Sequence, residues 1–182
     1  MKAEILISGV GGQGLMSLGK ILAKAAVLEG KHTVFFPSYG AEMRGGTAHC
    51  FVKISDSDIA SPFVEFLDAA IIFNQLSLTK FKDRIKDKTL LILNSDLIFE
   101  DSDKIPGEIV SLPLNRMALD CGDLKTANII ALGVLRNKRP GLIGRPAIVS
   151  VLEDSFKNKS SLETNLKGFK LGENYKKYQA KI

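Results

Sequence analysis

A glycine-rich turn lies between an apolar segment and a helical pattern in the first 30 residues and limits the folds that this chain can adopt. Residues 5–10 are mostly apolar, which predicts a short buried strand, and from Leu15 onward the apolar side chains recur at helical spacing. Gly9, Gly11 and Gly14 match the pattern G-x-G-x-x-G between these two elements. Because such a turn offers free backbone N–H groups at the start of a helix, it favours an anion such as a phosphate. The alternative is that the glycines only permit a tight turn and close packing of helix on strand.

A dinucleotide-binding domain needs one further residue that this chain lacks. An acidic side chain should hold the ribose about 20 residues beyond the turn, where the second strand ends. The second predicted strand ends instead in Phe35, Phe36 and Pro37. NAD chemistry is therefore disfavoured. The candidate binding residues of the turn are its four glycines, Gly9, Gly11, Gly12 and Gly14.

Apolar runs alternate with helical patterns along the rest of the chain. Strands are predicted for residues 33–36, 47–54, 69–73, 90–93 and 109–112, and helices for residues 15–28, 76–85, 124–137 and 145–156, with a short helix near Met117 and an amphipathic one from Ser160. This order predicts an α/β fold of the Rossmann-like type, with helices on both faces of a mostly parallel sheet. The strand at 47–54 alternates apolar and polar residues, which is typical of a half-buried strand. A mixed sheet, with this strand antiparallel, is the alternative.

The length of the chain fits one hydrophobic core. With 182 residues, we expect a single domain over 1–182. Residues 158–182 are rich in lysine and are predicted to form a basic C-terminal helical segment. Such a segment could dock an acidic subunit or attract an acidic electron carrier, and a solvated helix face is the alternative.

A second group of candidate binding residues falls in residues 37–46, which predict a turn-rich loop. Tyr39, Glu42 and Arg44 lie there among three glycines. Arg44 could bind a carboxylate or a phosphate through two parallel hydrogen bonds, and Glu42 could orient that group or accept a proton from the ligand. The same two residues would also serve as a structural ion pair that stiffens the loop.

Several classes of protein are excluded by composition and spacing. The two cysteines, Cys50 and Cys121, are too few for an iron–sulfur cluster or a four-cysteine zinc site, and we expect reduced thiols in a cytoplasmic protein. His32 and His49 lack a carboxylate cluster at ligand spacing, so no metal site is expected. The net charge of +5 is modest, and its basic residues do not interleave with aromatics as on a nucleic-acid surface. The apolar runs are shorter than the roughly 20 residues of a membrane span.

Long motifs give the chain a resemblance to one family. They are GVGGQG at 9–14, PSYGAEMRGGTAHC at 37–50, ISDSDIASP at 54–62, FNQ at 73–75 and NIIALGVL at 128–135. Together they resemble the gamma subunit of the 2-oxoacid:ferredoxin (acceptor) oxidoreductases. The form PSYGAEMRGG is most similar to the 2-oxoglutarate enzymes, with the pyruvate, branched-chain oxoacid and indolepyruvate enzymes as relatives.

The resemblance implies a subunit of a heteromeric oxidoreductase. Such an enzyme decarboxylates a 2-oxoacid oxidatively, transfers the acyl group to coenzyme A and passes two electrons to ferredoxin or another acceptor. Thiamine diphosphate and the iron–sulfur clusters would be held by the alpha, beta and ferredoxin-like delta subunits, so this chain would carry no catalytic residue and would be inactive alone. The glycine-rich turn and the loop with Tyr39, Glu42 and Arg44 would face the subunit interface near the active site. The alternative is a stand-alone nucleotide- or dinucleotide-binding α/β protein.

Overall fold

The computed structural model describes residues 1–38, 47–99 and 105–179. In these residues the strands are β1 (Lys2–Gly9), β2 (His32–Ser38), β3 (Ala48–Ser55), β4 (Ala69–Ile72), β5 (Leu90–Asn94) and β6 (Glu108–Leu112). The α-helices are α1 (Leu15–Leu28), α2 (Gln75–Phe81), α3 (Leu114–Cys121), α4 (Ala127–Lys138), α5 (Arg145–Ser155), α6 (Lys159–Glu173) and α7 (Lys176–Gln179).

The six strands form one mixed sheet in the order β2-β3-β1-β4-β5-β6. Strands β1, β4, β5 and β6 are parallel, whereas β3 is antiparallel to both β1 and β2. The predicted α/β fold is confirmed, and the sheet is the mixed one, with the strand at 47–54 antiparallel. Because β1 and β2 both run toward the edge where Gly9 and Ser38 lie, the glycine-rich turn sits at the carboxyl edge of the parallel strands.

Helices cover the two faces of the sheet unequally. On one face, apolar side chains of α1, α3, α4, α5 and α6 pack with those of the strands in the larger core. The other face carries the smaller core, which contains Leu78 and Phe81 of α2, and a 3-10 turn at Lys82–Arg84 follows that helix. We refer to this second face as the α2 face.

Strand β3 departs from its prediction. Ala48, Cys50, Val52 and Ile54 pack in the larger core, on one common face as the alternation predicts. The strand is not half-buried, however, because Phe51 and Lys53 on the α2 face are buried as well. Aromatic packing of Phe51 on Phe81 of α2 covers part of that face.

The first two residues of the loop predicted at 37–46 belong to a strand instead. Pro37 and Ser38 complete strand β2, where Pro37 lies opposite Cys50. Strand β2 is at the edge of the sheet, and an edge strand tolerates a proline because one of its sides needs no N–H donor. Tyr39, Glu42 and Arg44 lie outside the described residues.

Gly133 of α4 and Gly172 of α6 allow these two helices to pack closely. The low helix propensity of glycine does not predict this role. Helix α6 crosses α4 so closely that a Cβ on Gly172 would collide with the carbonyl oxygen of Ile130, and one on Gly133 with that of Phe169. The amphipathic helix predicted from Ser160 therefore packs into the core through a glycine contact, with Phe169 fully buried beside it. Within the described ranges, no helix has the length and apolar character needed to cross a membrane.

Candidate functional site

The glycine-rich turn joins β1 to α1 and is held by its own residues. Gly12 (φ 88°) and Gly14 (φ 72°) adopt left-handed backbone conformations, which glycine reaches without strain. The side-chain oxygen of Gln13 accepts a hydrogen bond from the N–H of Val10 at 2.8 Å and closes the turn. The first turn of α1 contains no acidic residue.

Packing explains why glycine is needed at positions 9 and 14 but not why it occurs at position 11. A Cβ on Gly9 would lie 2.9 Å from that of Phe73, so the end of β1 needs a glycine for contact with the residue that follows β4. A side chain at Gly14 would collide with the amide of Asn128. Gly11 has no positive φ, and none of the described atoms lies within 4 Å of its Cβ position. The described part of the fold therefore gives no reason for a glycine at position 11.

A cavity of about 300 Å³ opens beside the turn. Its lining residues are Val10, Gly11, Gly12, Gly14, Leu15, Met16, Ser17, Ser38 and Ala48. The first intrahelical bond of α1 runs from the N–H of Leu18 to the oxygen of Gly14 at 2.9 Å. The N–H groups that precede Leu18 in the helix have no intrahelical acceptor, and the helix dipole adds partial positive charge at this end. The arrangement suits an anionic group.

The structure brings most of the predicted turn residues to this cavity. Gly11, Gly12 and Gly14 line it, whereas Gly9 is packed against its neighbours. Ser38 and Ala48, the last residue of β2 and the first of β3, also line it. The candidate residues Tyr39, Glu42 and Arg44 are outside the part of the chain that the structure describes.

Asn128 is a supporting residue that the sequence did not reveal. It lies near the start of α4, is buried, and donates a hydrogen bond from its side-chain amide to the oxygen of Gly14 at 2.9 Å. It thereby ties the start of α1 to α4. The sequence pattern places Asn128 in a buried helix, but nothing local signals a contact with a residue so distant in the chain. Gln13, likewise, was not predicted to close the turn.

The two cysteines are poor candidates for ligands or nucleophiles. Burial raises the pKa of the Cys50 thiol to about 12 and also raises the pKa of Cys121. Both groups are therefore thiols near neutral pH, whereas a metal ligand or a nucleophile is a thiolate. Among the residues described, no group of three or more His, Cys, Asp or Glu side chains could hold a metal ion.

The family model for pyruvate ferredoxin/flavodoxin oxidoreductase matches residues 4–175 of this chain. The chain is 35% identical over 177 residues to the 2-oxoglutarate synthase subunit KorC of Methanocaldococcus jannaschii, and the match covers 94% of this chain and 92% of KorC. It is 36% identical over 134 residues to the ketoisovalerate oxidoreductase subunit VorA of Methanothermobacter thermautotrophicus. That match covers 74% of this chain, which spans only 28% of the length of VorA.

Solved structures agree with these matches. The gamma subunit of a keto/oxoacid ferredoxin oxidoreductase from Geobacter sulfurreducens superimposes with a TM-score of 0.84 at 30% identity, covering 94% of each chain. A 2-oxoglutarate:ferredoxin oxidoreductase from Magnetococcus marinus, with 2-oxoglutarate, coenzyme A and succinyl-CoA bound, gives 0.85 at 26% identity over 95% of this chain and 30% of that one. The resemblance to gamma subunits is thus confirmed, and the chain belongs to the pyruvate ferredoxin/flavodoxin oxidoreductase family.

Proposed function

We propose that this chain is the gamma subunit of a heteromeric 2-oxoacid:ferredoxin oxidoreductase that acts on 2-oxoglutarate in the cytoplasm. The observation that carries the proposal is the match to KorC, a 2-oxoglutarate synthase subunit, over nearly the full length of both chains. The match to VorA is similar in identity but covers less of either chain. Ketoisovalerate or another 2-oxoacid is therefore the second candidate substrate.

In the proposed complex, the chemistry takes place on groups that other subunits hold. Thiamine diphosphate supplies the carbanion chemistry of decarboxylation when bound, and iron–sulfur clusters carry the two electrons to ferredoxin or another acceptor. Two buried thiols with raised pKa values do not fit a cluster that needs several thiolate ligands. We therefore assign these cofactors to alpha, beta and ferredoxin-like delta subunits.

Isolation from the native host tests this assignment. The tagged chain is expected to co-purify with thiamine-binding and ferredoxin-like subunits, which mass spectrometry would identify. The eluate should reduce viologen only when both coenzyme A and 2-oxoglutarate are supplied, and the separated chain should be inactive. Activity with ketoisovalerate alone would change the substrate. A chain that purifies alone and binds a nucleotide would replace the proposal with the stand-alone nucleotide-binding protein.

Within that complex, we assign the glycine-rich turn to a phosphate group of coenzyme A. The support is the anion-favouring start of α1, the cavity beside it, and the open space above Gly11. Gly11, Gly12 and Gly14 would approach the phosphate through their backbone, with Gly9 setting the turn. Arg44 would bind a phosphate or the substrate carboxylate, Glu42 would orient that group, and Tyr39 would complete the site.

Gly11→Ala separates a binding role from a structural one. The added methyl group meets no described atom within 4 Å, so we expect the thermal midpoint of the chain to stay unchanged. In the assembled enzyme the methyl would block the approach of a phosphate and raise the KM for coenzyme A about tenfold, with little change in kcat.

Gly141→Ala is the matched control, because Gly141 also has no positive φ and no described atom near its Cβ position. It adds the same methyl group outside the turn and should leave KM unchanged. An unchanged KM for coenzyme A in Gly11→Ala would exclude the turn as its binding site.

A further inference from the structure

Two phenylalanines stand out on the α2 face of the sheet. They belong to residues 56–68, which connect β3 to β4 without helix or strand and which we call the connecting segment. The side chain of Phe63 is 78% exposed and that of Phe66 is 57% exposed. Phe36 of the edge strand β2 is 45% exposed and lies opposite Phe51, whose side chain packs on the same face. Aromatic surface of this size is normally buried in a core or an interface.

A buried ion pair holds the connecting segment in place. Lys53 of β3 is 4% exposed, and its ammonium lies 3.1 Å from the carboxylate of Glu4 on β1. The same ammonium donates to the carbonyl oxygen of Ser61 at 2.9 Å and to that of Phe63. The carboxylate of Glu4 in turn accepts from the N–H of Glu65 at 3.3 Å. The three donors of Lys53 are thus used inside the chain, so this group serves to fix the segment and not to bind a ligand.

Cationic side chains from beyond α2 support the segment from the side. Arg84 donates to the carbonyl oxygen of Val64 at 3.3 Å, and the ammonium of Lys86 lies 6.0 Å from the centre of the Phe66 ring. The backbone at Phe63 and Val64 is therefore held by hydrogen bonds, and the ring of Phe66 lies near a positive charge. Aromatic residues and arginine are the types enriched where protein interfaces concentrate their binding energy.

We propose that Phe63 and Phe66 anchor the contact between this chain and another subunit of its complex. The occupant we assign is the polypeptide that is continuous with this domain in its longer relatives. More than two thirds of VorA and of the Magnetococcus chain lie outside the matched part, so this domain is joined there to a much larger partner. In a complex where this domain and the larger polypeptide are separate chains, a noncovalent docking surface must replace that covalent link. The inference rests on the proposed function, since it requires such a complex.

The test uses the complex reconstituted from the full chain and its co-purified subunits. Phe63→Ser with Phe66→Ser should weaken assembly by about 30-fold or more, measured by titration in mass photometry. Both side chains are largely in solvent, so the isolated variant should unfold at the wild-type urea concentration. Leu119→Ser is the control, because Leu119 on α3 is similarly exposed at 63% and belongs to the helices of the opposite face. It should change assembly by less than about threefold.

The outcomes separate this inference from the proposed function. Assembly that the double variant leaves unchanged would overturn the docking surface while leaving the gamma-subunit assignment intact. A wild-type chain that binds no subunit of a 2-oxoacid oxidoreductase would overturn both. Loss of a homodimer in the double variant, with subunit assembly retained, would assign the surface to a second copy and overturn the proposal. Protection of the N–H groups at 63–67 from hydrogen exchange on assembly, but not in the free chain, would support it.

Discussion

Gly172→Ala is expected to destabilise the chain by about 3 kcal/mol or more, although helix propensity alone favours the change. In a free helix, alanine is better than glycine by about 1 kcal/mol. In this fold, Gly172 of α6 faces the backbone of α4, and a Cβ would collide with the carbonyl oxygen of Ile130. Because that oxygen belongs to a helix backbone, it cannot move aside as a side chain would. The two helices must separate, and the contacts of the buried Phe169 would be lost with them.

Urea unfolding followed by circular dichroism measures this effect. The midpoint should fall strongly in Gly172→Ala and also in Gly133→Ala, whose Cβ would meet the carbonyl oxygen of Phe169 from the other side. Glu163→Ala is the control on the same helix, because Glu163 is exposed and its replacement should change stability by less than about 0.5 kcal/mol. An unchanged or raised midpoint in Gly172→Ala would contradict the close crossing of α4 and α6.

The elements that were predicted correctly are those whose signals are local. The glycine-rich turn, the helix from Leu15 to Leu28 and the antiparallel alternative for the strand at 47–54 follow from residue spacing within short windows. The burial of both faces of β3 could not be seen in this way. It depends on the connecting segment and α2, which the chain places over Phe51 and Lys53 only in the folded state.

In the candidate site, too, the features with local sequence signals could be predicted and those that depend on tertiary contacts could not. Three glycines of the predicted turn do line a cavity at the carboxyl edge of the sheet. The pattern could not distinguish their roles, since Gly14 is needed against Asn128 whereas Gly11 faces open space in the described structure. That difference arises from a contact between α1 and α4, and only the tertiary structure reveals it. It also provides the variant that tests binding without altering the fold.

Breaking the buried pair of Glu4 and Lys53 is also expected to have a large effect on stability. Glu4→Leu leaves the ammonium of Lys53 buried with only carbonyl oxygens as partners, which should lower the free energy of unfolding by about 3–5 kcal/mol. Combining Glu4→Leu with Lys53→Met removes both charges and fills the same space with apolar atoms. Replacing a complete pair is often nearly neutral, but here it also removes the donor to the carbonyl oxygens of Ser61 and Phe63. We therefore expect the double variant to be less stable than the wild type and more stable than Glu4→Leu alone.

A double-mutant cycle in urea measures the coupling free energy between Glu4 and Lys53. Repeating the cycle between pH 6 and pH 3 gives the sign of its pH dependence. Burial alone would raise the pKa of Glu4, but hydrogen bonds from Lys2 and Lys53 outweigh it and hold the pKa below its ordinary value. A lowered pKa in the folded state means that the carboxylate stabilises the fold above about pH 4.5, its ordinary value, and that this contribution disappears as the pH falls through the folded pKa. The double variant should therefore lose less stability on acidification than the wild type.

Glu108→Gln is the surface control, because it removes a half-exposed ion pair with Lys138 and Arg139. Its expected loss of stability is below about 1 kcal/mol. Losses in Glu4→Leu and Lys53→Met that simply add in the double variant would show that the two charges do not act as a pair.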